Sequence, residues 1–252
     1  MGDAASAIAA IRLAAFTYWG DSYWGGALAV LGGALLFGAL PRIIRTSRPR
    51  DALLAALGVA ILANTRLTRC SLYCGRYIVR SLECPAIASA RDSFRPILAV
   101  LVCTAAFMAY YNWRVFGSPH NIAIHPQSPR VAVAPVYLFQ SPGPTPVYRH
   151  KEMRDFYLGW ELAVFQHGRT RQGFAEVAFA KVFWIWSFFV GPALTLPLLA
   201  FPTTWKSRRT KILLLAVVLP LLGNAVVPFF QPHYLAAATV VFYAMLIQGC
   251  GH

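Results

Sequence analysis

Long apolar runs separated by short basic clusters constrain this chain more than any other feature. Residues 25–40, 178–201, 212–230 and 234–247 are dominated by Ala, Leu, Val, Phe and Gly. A bilayer is crossed by about twenty such residues in helical form, and a spanning segment must satisfy its own backbone hydrogen bonds. Composition agrees: the chain is 58% hydrophobic and 13% charged, whereas a soluble domain carries about 25% charged residues. The reading is an all-α, polytopic membrane protein with about five or six transmembrane helices.

The net charge of +14 comes from 23 Lys and Arg against nine acids. These cations do not form the continuous face that nucleic acid requires. They sit between apolar runs, as cytoplasmic membrane loops do. Nucleic acid is therefore not an expected partner, and the lipid bilayer is. The five cysteines, Cys70, Cys74, Cys84, Cys103 and Cys250, lack the paired spacing of a zinc site. The histidines His120, His125 and His167 show no ligand spacing either. No metal and no cofactor are expected.

Three regions follow from the pattern: 1–111 and 178–252 as membrane helices, and 112–177 as a polar extracytoplasmic segment. Arg12 interrupts the apolar start, which makes a poor signal peptide and reads equally as the tail of a span. The aromatic cluster around Tyr18, Trp19, Tyr23 and Trp24 suits the headgroup layer. Asp21 within it reads as a helix cap. Gly32, Gly33 and Gly38 give the 25–40 run a face for close helix packing. Pro41 is expected to end that helix ahead of Arg42, Arg45, Arg48 and Arg50. Residues 52–63 are too short to cross alone, and 65–95 form an aberrant basic stretch with six arginines and three cysteines. Asn224 and Thr195 read as the only polar residues deep in a span.

The polar segment holds four of the six histidines and seven of the seventeen prolines. A short helix is expected near residues 152–166. Just before it, Arg149, His150 and Lys151, with Arg154, form a cation cluster able to attract an anionic lipid headgroup. Glu152 and Asp155 partly neutralise it, so a solvated helix start is an equal reading. His233 and Tyr234 begin the last run and are further candidates for substrate contact, with interfacial anchoring as the plainer role. Glu161 and Glu176 are the remaining acids of the segment. Neither can be given a catalytic role from sequence, because a general base is defined by its reach.

Placing the clusters at 42–50 and 206–211 in the cytoplasm requires an even number of crossings between them. The apolar runs at 52–63, 96–111 and 178–201 make three. Either 52–63 does not cross, or the 65–95 stretch replaces a lost crossing. As written it cannot enter lipid, since each central Arg costs about 2.5–3.5 kcal/mol.

The motifs Ser22-Tyr23-Trp24-Gly25-Gly26-Ala27, Gly38-Ala39-Leu40-Pro41-Arg42, Ala63-Asn64-Thr65-Arg66, Phe107-Met108-Ala109-Tyr110-Tyr111-Asn112-Trp113-Arg114 and Pro146-Val147-Tyr148-Arg149-His150 resemble bacterial integral membrane proteins. The family lies near the protein-mannosyltransferase-like branch of the glycosyltransferase C superfamily. Phe156-Tyr157-Leu158-Gly159-Trp160 and Pro232-His233-Tyr234 continue the similarity, which omits 67–95. Similar sequences follow Asn-(Ser/Thr)-Arg with Pro-Tyr-Glu. Here Leu67-Thr68-Arg69-Cys70 can be encoded CTT-ACG-AGG-TGC, and moving the frame back one base onto a C reads Pro-Tyr-Glu. A frame change near Arg66 is the expectation this raises.

The resemblance implies glycosyl transfer from a polyprenyl-phosphate-linked sugar at the outer face of the bacterial inner membrane. It also implies that the chain matches the C-terminal part of such enzymes. Their usual acidic base, in the first external loop, would precede Met1, leaving the chain inactive as written and its catalytic residues unassigned. The alternative is a non-enzymatic multi-pass protein, transporter-like or structural. A transporter calls for intramembrane polar groups or repeats.

Overall fold

Helix is the only regular secondary structure among the described residues. The computed structural model describes residues 2–19, 26–46, 48–65, 91–120, 132–196 and 208–250. Asp21, His125, Cys70, Cys74, Cys84, Lys206 and the possible frame change after Arg66 lie outside them.

In chain order the helices are α1 (Gly2–Ala15), α2 (Gly26–Thr46), α3 (Pro49–Thr65) and α4 (Arg91–Phe116). A composite helix, α5, starts as Lys151–Arg154, widens to π geometry over Asp155–Glu161 and returns to α over Leu162–Arg169. Next come α6 (Arg171–Ile185), extended by a π turn over Trp186–Val190, and α7 (Arg208–Ala225). A 3-10 segment, Pro232–Ala238, leads into α8 (Thr239–Cys250). Among the described residues, three stretches are long and apolar enough to cross a membrane: Gly26–Ile43, Arg95–Phe116 and Arg171–Val190. The chain is thus a helical membrane protein. Pro232–Ile247 is a shorter apolar helical run.

Two units emerge from the packing. The first contains Met1–Cys103, Trp184–Leu222 and Pro232–His252; the second contains Thr104–Phe183 and Gly223–Gln231.

In the first unit α2 and α3 pack backbone to backbone. A Cβ on Gly58 would lie 2.6 Å from the Gly32 carbonyl oxygen, and one on Gly32 would lie 2.9 Å from Leu62. Gly33 abuts the carbonyl of Ala237 in the same manner. These contacts are what small residues permit in helix pairs without a solvent-driven core. Pro41 does not end α2, which continues to Thr46. Proline removes one backbone bond, but Ile43 beyond it is buried with Ala39, Ala55 and Leu62, so packing outweighs the break. Arg42 Nε then bonds Asp51 Oδ1 at 2.6 Å and ties the end of α2 to the first turn of α3. With 17 residues α3 is about 26 Å long, below the ~30 Å hydrocarbon thickness.

The apolar run expected from residue 178 begins at Arg171 and breaks at Gly191. Thr170 explains the early start: its Oγ1 accepts from Gly173 N–H at 3.0 Å, a cap for the new helix. Gly191 explains the break, since its φ of 64° is left-handed and closes the π turn by donating to the Trp186 carbonyl at 2.7 Å. The widened turn frees carbonyls that side chains take up. Arg12 donates to Ser187 O, and Tyr243 Oη donates to Phe189 O at 3.0 Å.

Candidate functional site

In the second unit, the residues before α5 are extended: His150 has φ −110° and ψ 136°. Its carbonyl accepts from Arg154 N–H at 3.2 Å and begins the helix. Arg149, His150 and Lys151 are all exposed there. Among the described residues neither Arg149 nor Lys151 has an ion-pair partner. Arg154 meets only its neighbour Asp155, at 3.7 Å and with both side chains exposed. Such a pair contributes little.

Aromatic rings gather about the widened turn of α5. Tyr148 stacks on Tyr157, with centroids 5.8 Å apart and planes at 9°. Phe156 lies 5.2 Å from Trp160, and Trp160 lies 5.8 Å from Phe229. Phe156 is 48% exposed and Trp160 54% exposed. Glu161 ends the widened turn. Its Oε2 is buried without a hydrogen-bond partner among the described residues, and desolvation pushes its carboxyl pKa up. Burial, followed by the charge of Glu161, pushes the Tyr148 hydroxyl up as well. The site therefore combines open cations, an aromatic ledge and a desolvated carboxyl on and beside one helix. That set can hold an anionic group and exchange a proton.

His233 and Tyr234 belong to the first unit. His233 is 1% exposed, and its Nδ1 lies 2.7 Å from the Tyr18 hydroxyl. The Tyr234 ring meets it edge-on at 4.8 Å. Of the other histidines, His120 is exposed. His167 Nε2 pairs with Glu176 Oε2 at 2.8 Å, and Glu176 also accepts from Gln172 at 2.8 Å.

Lys181 corrects the expectation that Asn224 and Thr195 are the only polar groups deep in a span. It is 6% exposed, midway along the apolar stretch from Arg171. Its Nζ donates to the carbonyls of Asn224, Ala225 and Val227 at 3.1, 3.2 and 2.8 Å. The first two oxygens lie in the last turn of α7 and the third just beyond it, where the end of a helix favours a cation. A lone lysine in an apolar run was the available signal. Glu161 had no comparable signal, since an acid in a polar segment is usually solvated.

No protein family, curated protein or solved structure matches this chain.

Proposed function

We propose that this chain serves glycosyl transfer from a polyprenyl-phosphate-linked sugar in the bacterial inner membrane, with Arg149, His150 and Lys151 holding the donor phosphate. One observation carries the reading: exposed Arg149 and Lys151, without an ion-pair partner among the described residues, stand at the start of an aromatic helix that ends its widened turn at the desolvated Glu161. A lipid-linked phosphate lies at the membrane surface, where basic side chains attract it. The aromatic ledge suits the layer in which the sugar sits. Against the expectation of a base ahead of Met1, Glu161 is the described acid best suited to proton exchange beside it, because its Oε2 is buried without a hydrogen-bond partner among the described residues and desolvation raises its carboxyl pKa.

A topology follows from the same reading. Between the basic clusters at 42–50 and 206–211, two described helices qualify as spans, Arg95–Phe116 and Arg171–Val190. Counted without α3, which packs along α2 from Asp51 to Leu62 and so reaches into the same apolar layer, these two spans would leave both clusters in the cytoplasm and α5 outside. Adding α7 and the Pro232–Ile247 run to the three candidate spans gives five crossings. A transporter reading has less support, because Lys181 is engaged by backbone carbonyls.

The test is photo-crosslinking in native-like membranes with a polyprenyl-phosphate sugar bearing a diazirine beside the phosphate. Labelling of the peptide spanning residues 148–154 is expected, and competition by unlabelled donor should remove it. Labelling confined to other segments, or none, contradicts the assignment.

A further inference from the structure

We propose that α5 lies along the membrane surface as an interfacial helix, rigidly jointed to the α6 span, with Phe156 and Trp160 in the headgroup layer of an anionic bilayer. The observations are independent of any sugar donor.

The first observation is the joint. Thr170 alone separates α5 from α6, and its φ of −76° and ψ of 151° break the helix there. Five bonds lock the corner, and a sixth within α6 steadies one of them. Thr170 N–H and Oγ1 both donate to His167 O, at 3.0 and 2.8 Å. Thr170 Oγ1 accepts from Gly173 N–H at 3.0 Å, and Thr170 O accepts from Phe174 N–H at 2.9 Å. His167 and Gln172 both hold Glu176, each at 2.8 Å. Gly173 is required: a Cβ on it would collide with the His167 carbonyl. Gly168 is close-packed too, with a Cβ there 3.1 Å from Leu138.

The second observation is length. The 20-residue stretch Arg171–Val190 is about 30 Å as a helix, which the hydrocarbon core consumes in full. With the charged Glu176–His167 pair kept at the outer end of that stretch, the Thr170 corner lies within about two turns of the boundary, and the end of α5 is held near the headgroup layer.

The third is the character of α5. A helix projecting into water has no reason to expose Met153, Phe156 and Trp160 together, yet all three are open. Residues 149–171 carry the cations Arg149, Lys151, Arg154, Arg169 and Arg171 against Glu152, Asp155 and Glu161. Exposed aromatic side chains beside Lys and Arg are the composition that settles at an anionic interface. Charge and anchoring select lipid as the occupant.

The experiment uses the full chain in single-copy lipid nanodiscs containing phosphatidylglycerol. The five native cysteines are replaced by serine, and an environment-sensitive fluorophore is attached to a Phe156→Cys variant. Met153→Cys is a second site, and Ser141→Cys is a control on the same polar segment. Nitroxide placed at headgroup depth should quench the probes at 153 and 156 several-fold more than the one at 141, and aqueous iodide several-fold less. Equal iodide access at 141, 153 and 156 overturns the proposal. So does protection at 153 and 156 from both quenchers, which would mean that protein covers the ledge. A Gly173→Ala variant gives a second test: strain at the corner should raise iodide access at 156, and unchanged access would contradict the rigid joint.

Discussion

Lys181 and Val227 are joined by a 2.8 Å bond from the lysine ammonium to the backbone carbonyl, in the middle of an apolar helix. The same ammonium reaches Asn224 and Ala225. An ammonium has three protons to donate, so the charge that would oppose burial becomes the cap of α7. The relationship is structural before it is functional, and it sets the first expectation. Lys181→Met removes the donor while keeping much of the volume. Asn224 O keeps the Val227 N–H at 3.3 Å, and each of the Ala225 and Val227 acceptors left unsatisfied costs about 1–3 kcal/mol. Thermal unfolding in detergent should show a large drop in Tm. An unchanged Tm would mean that solvent or lipid headgroups already serve those carbonyls.

Close helix packing gives a paired prediction in the first unit. Gly33→Ala drives a methyl into the Ala237 carbonyl, and overpacking of this kind costs about 1–3 kcal/mol. Gly38→Ala meets nothing closer than Arg42 at 3.8 Å, and a helical Gly→Ala change there should be neutral or gain about 0.5–1 kcal/mol. Denaturation of the two variants side by side checks the contrast. Equal behaviour would contradict the contact.

Tyr18→Phe tests the buried histidine. It removes the hydroxyl 2.7 Å from His233 Nδ1 while leaving the ring against Phe188 at 5.3 Å. Losing the partner of a buried polar atom should destabilise by about 1–3 kcal/mol, read as a lower unfolding midpoint. A midpoint within error of the parent would show that the bond contributes nothing.

Glu161 sets a pH dependence. Its folded-state pKa is raised by desolvation, so the fold favours the protonated form. That contribution is fully present below the unfolded pKa and is lost as pH rises through the folded value. Stability should therefore decline over that window in the parent protein. The Glu161→Gln variant should show a flatter profile. Melting curves across mildly acidic to neutral pH decide it, and parallel profiles for the two proteins would contradict the desolvated carboxyl.

The membrane class was legible from the apolar runs, because hydropathy over twenty residues reports directly on what a bilayer tolerates. The α5 helix was legible too, within a few residues. Helix ends were less so. Proline at position 41 and the polar residues at 171–177 both suggested boundaries, yet burial of Ile43 and the cap from Thr170 moved them. The π widening at 155–161 has no sequence period of its own, so the stacking of Tyr148 on Tyr157 and the burial of the Glu161 oxygen were out of reach. Lys181 was readable as an oddity, but its partners lie more than forty residues away.

The central claim is that Arg149 and Lys151 hold a lipid-linked phosphate. It is tested most directly by measuring the affinity of a polyprenyl-phosphate sugar for the chain in nanodiscs of neutral lipid. The parent is compared with the Arg149→Gln, Lys151→Gln double variant. Each cation at the surface contributes about 1 kcal/mol toward an anionic lipid, so the double variant should bind roughly tenfold more weakly or worse. Equal affinity in the two proteins would assign these cations to solvated surface and contradict the account.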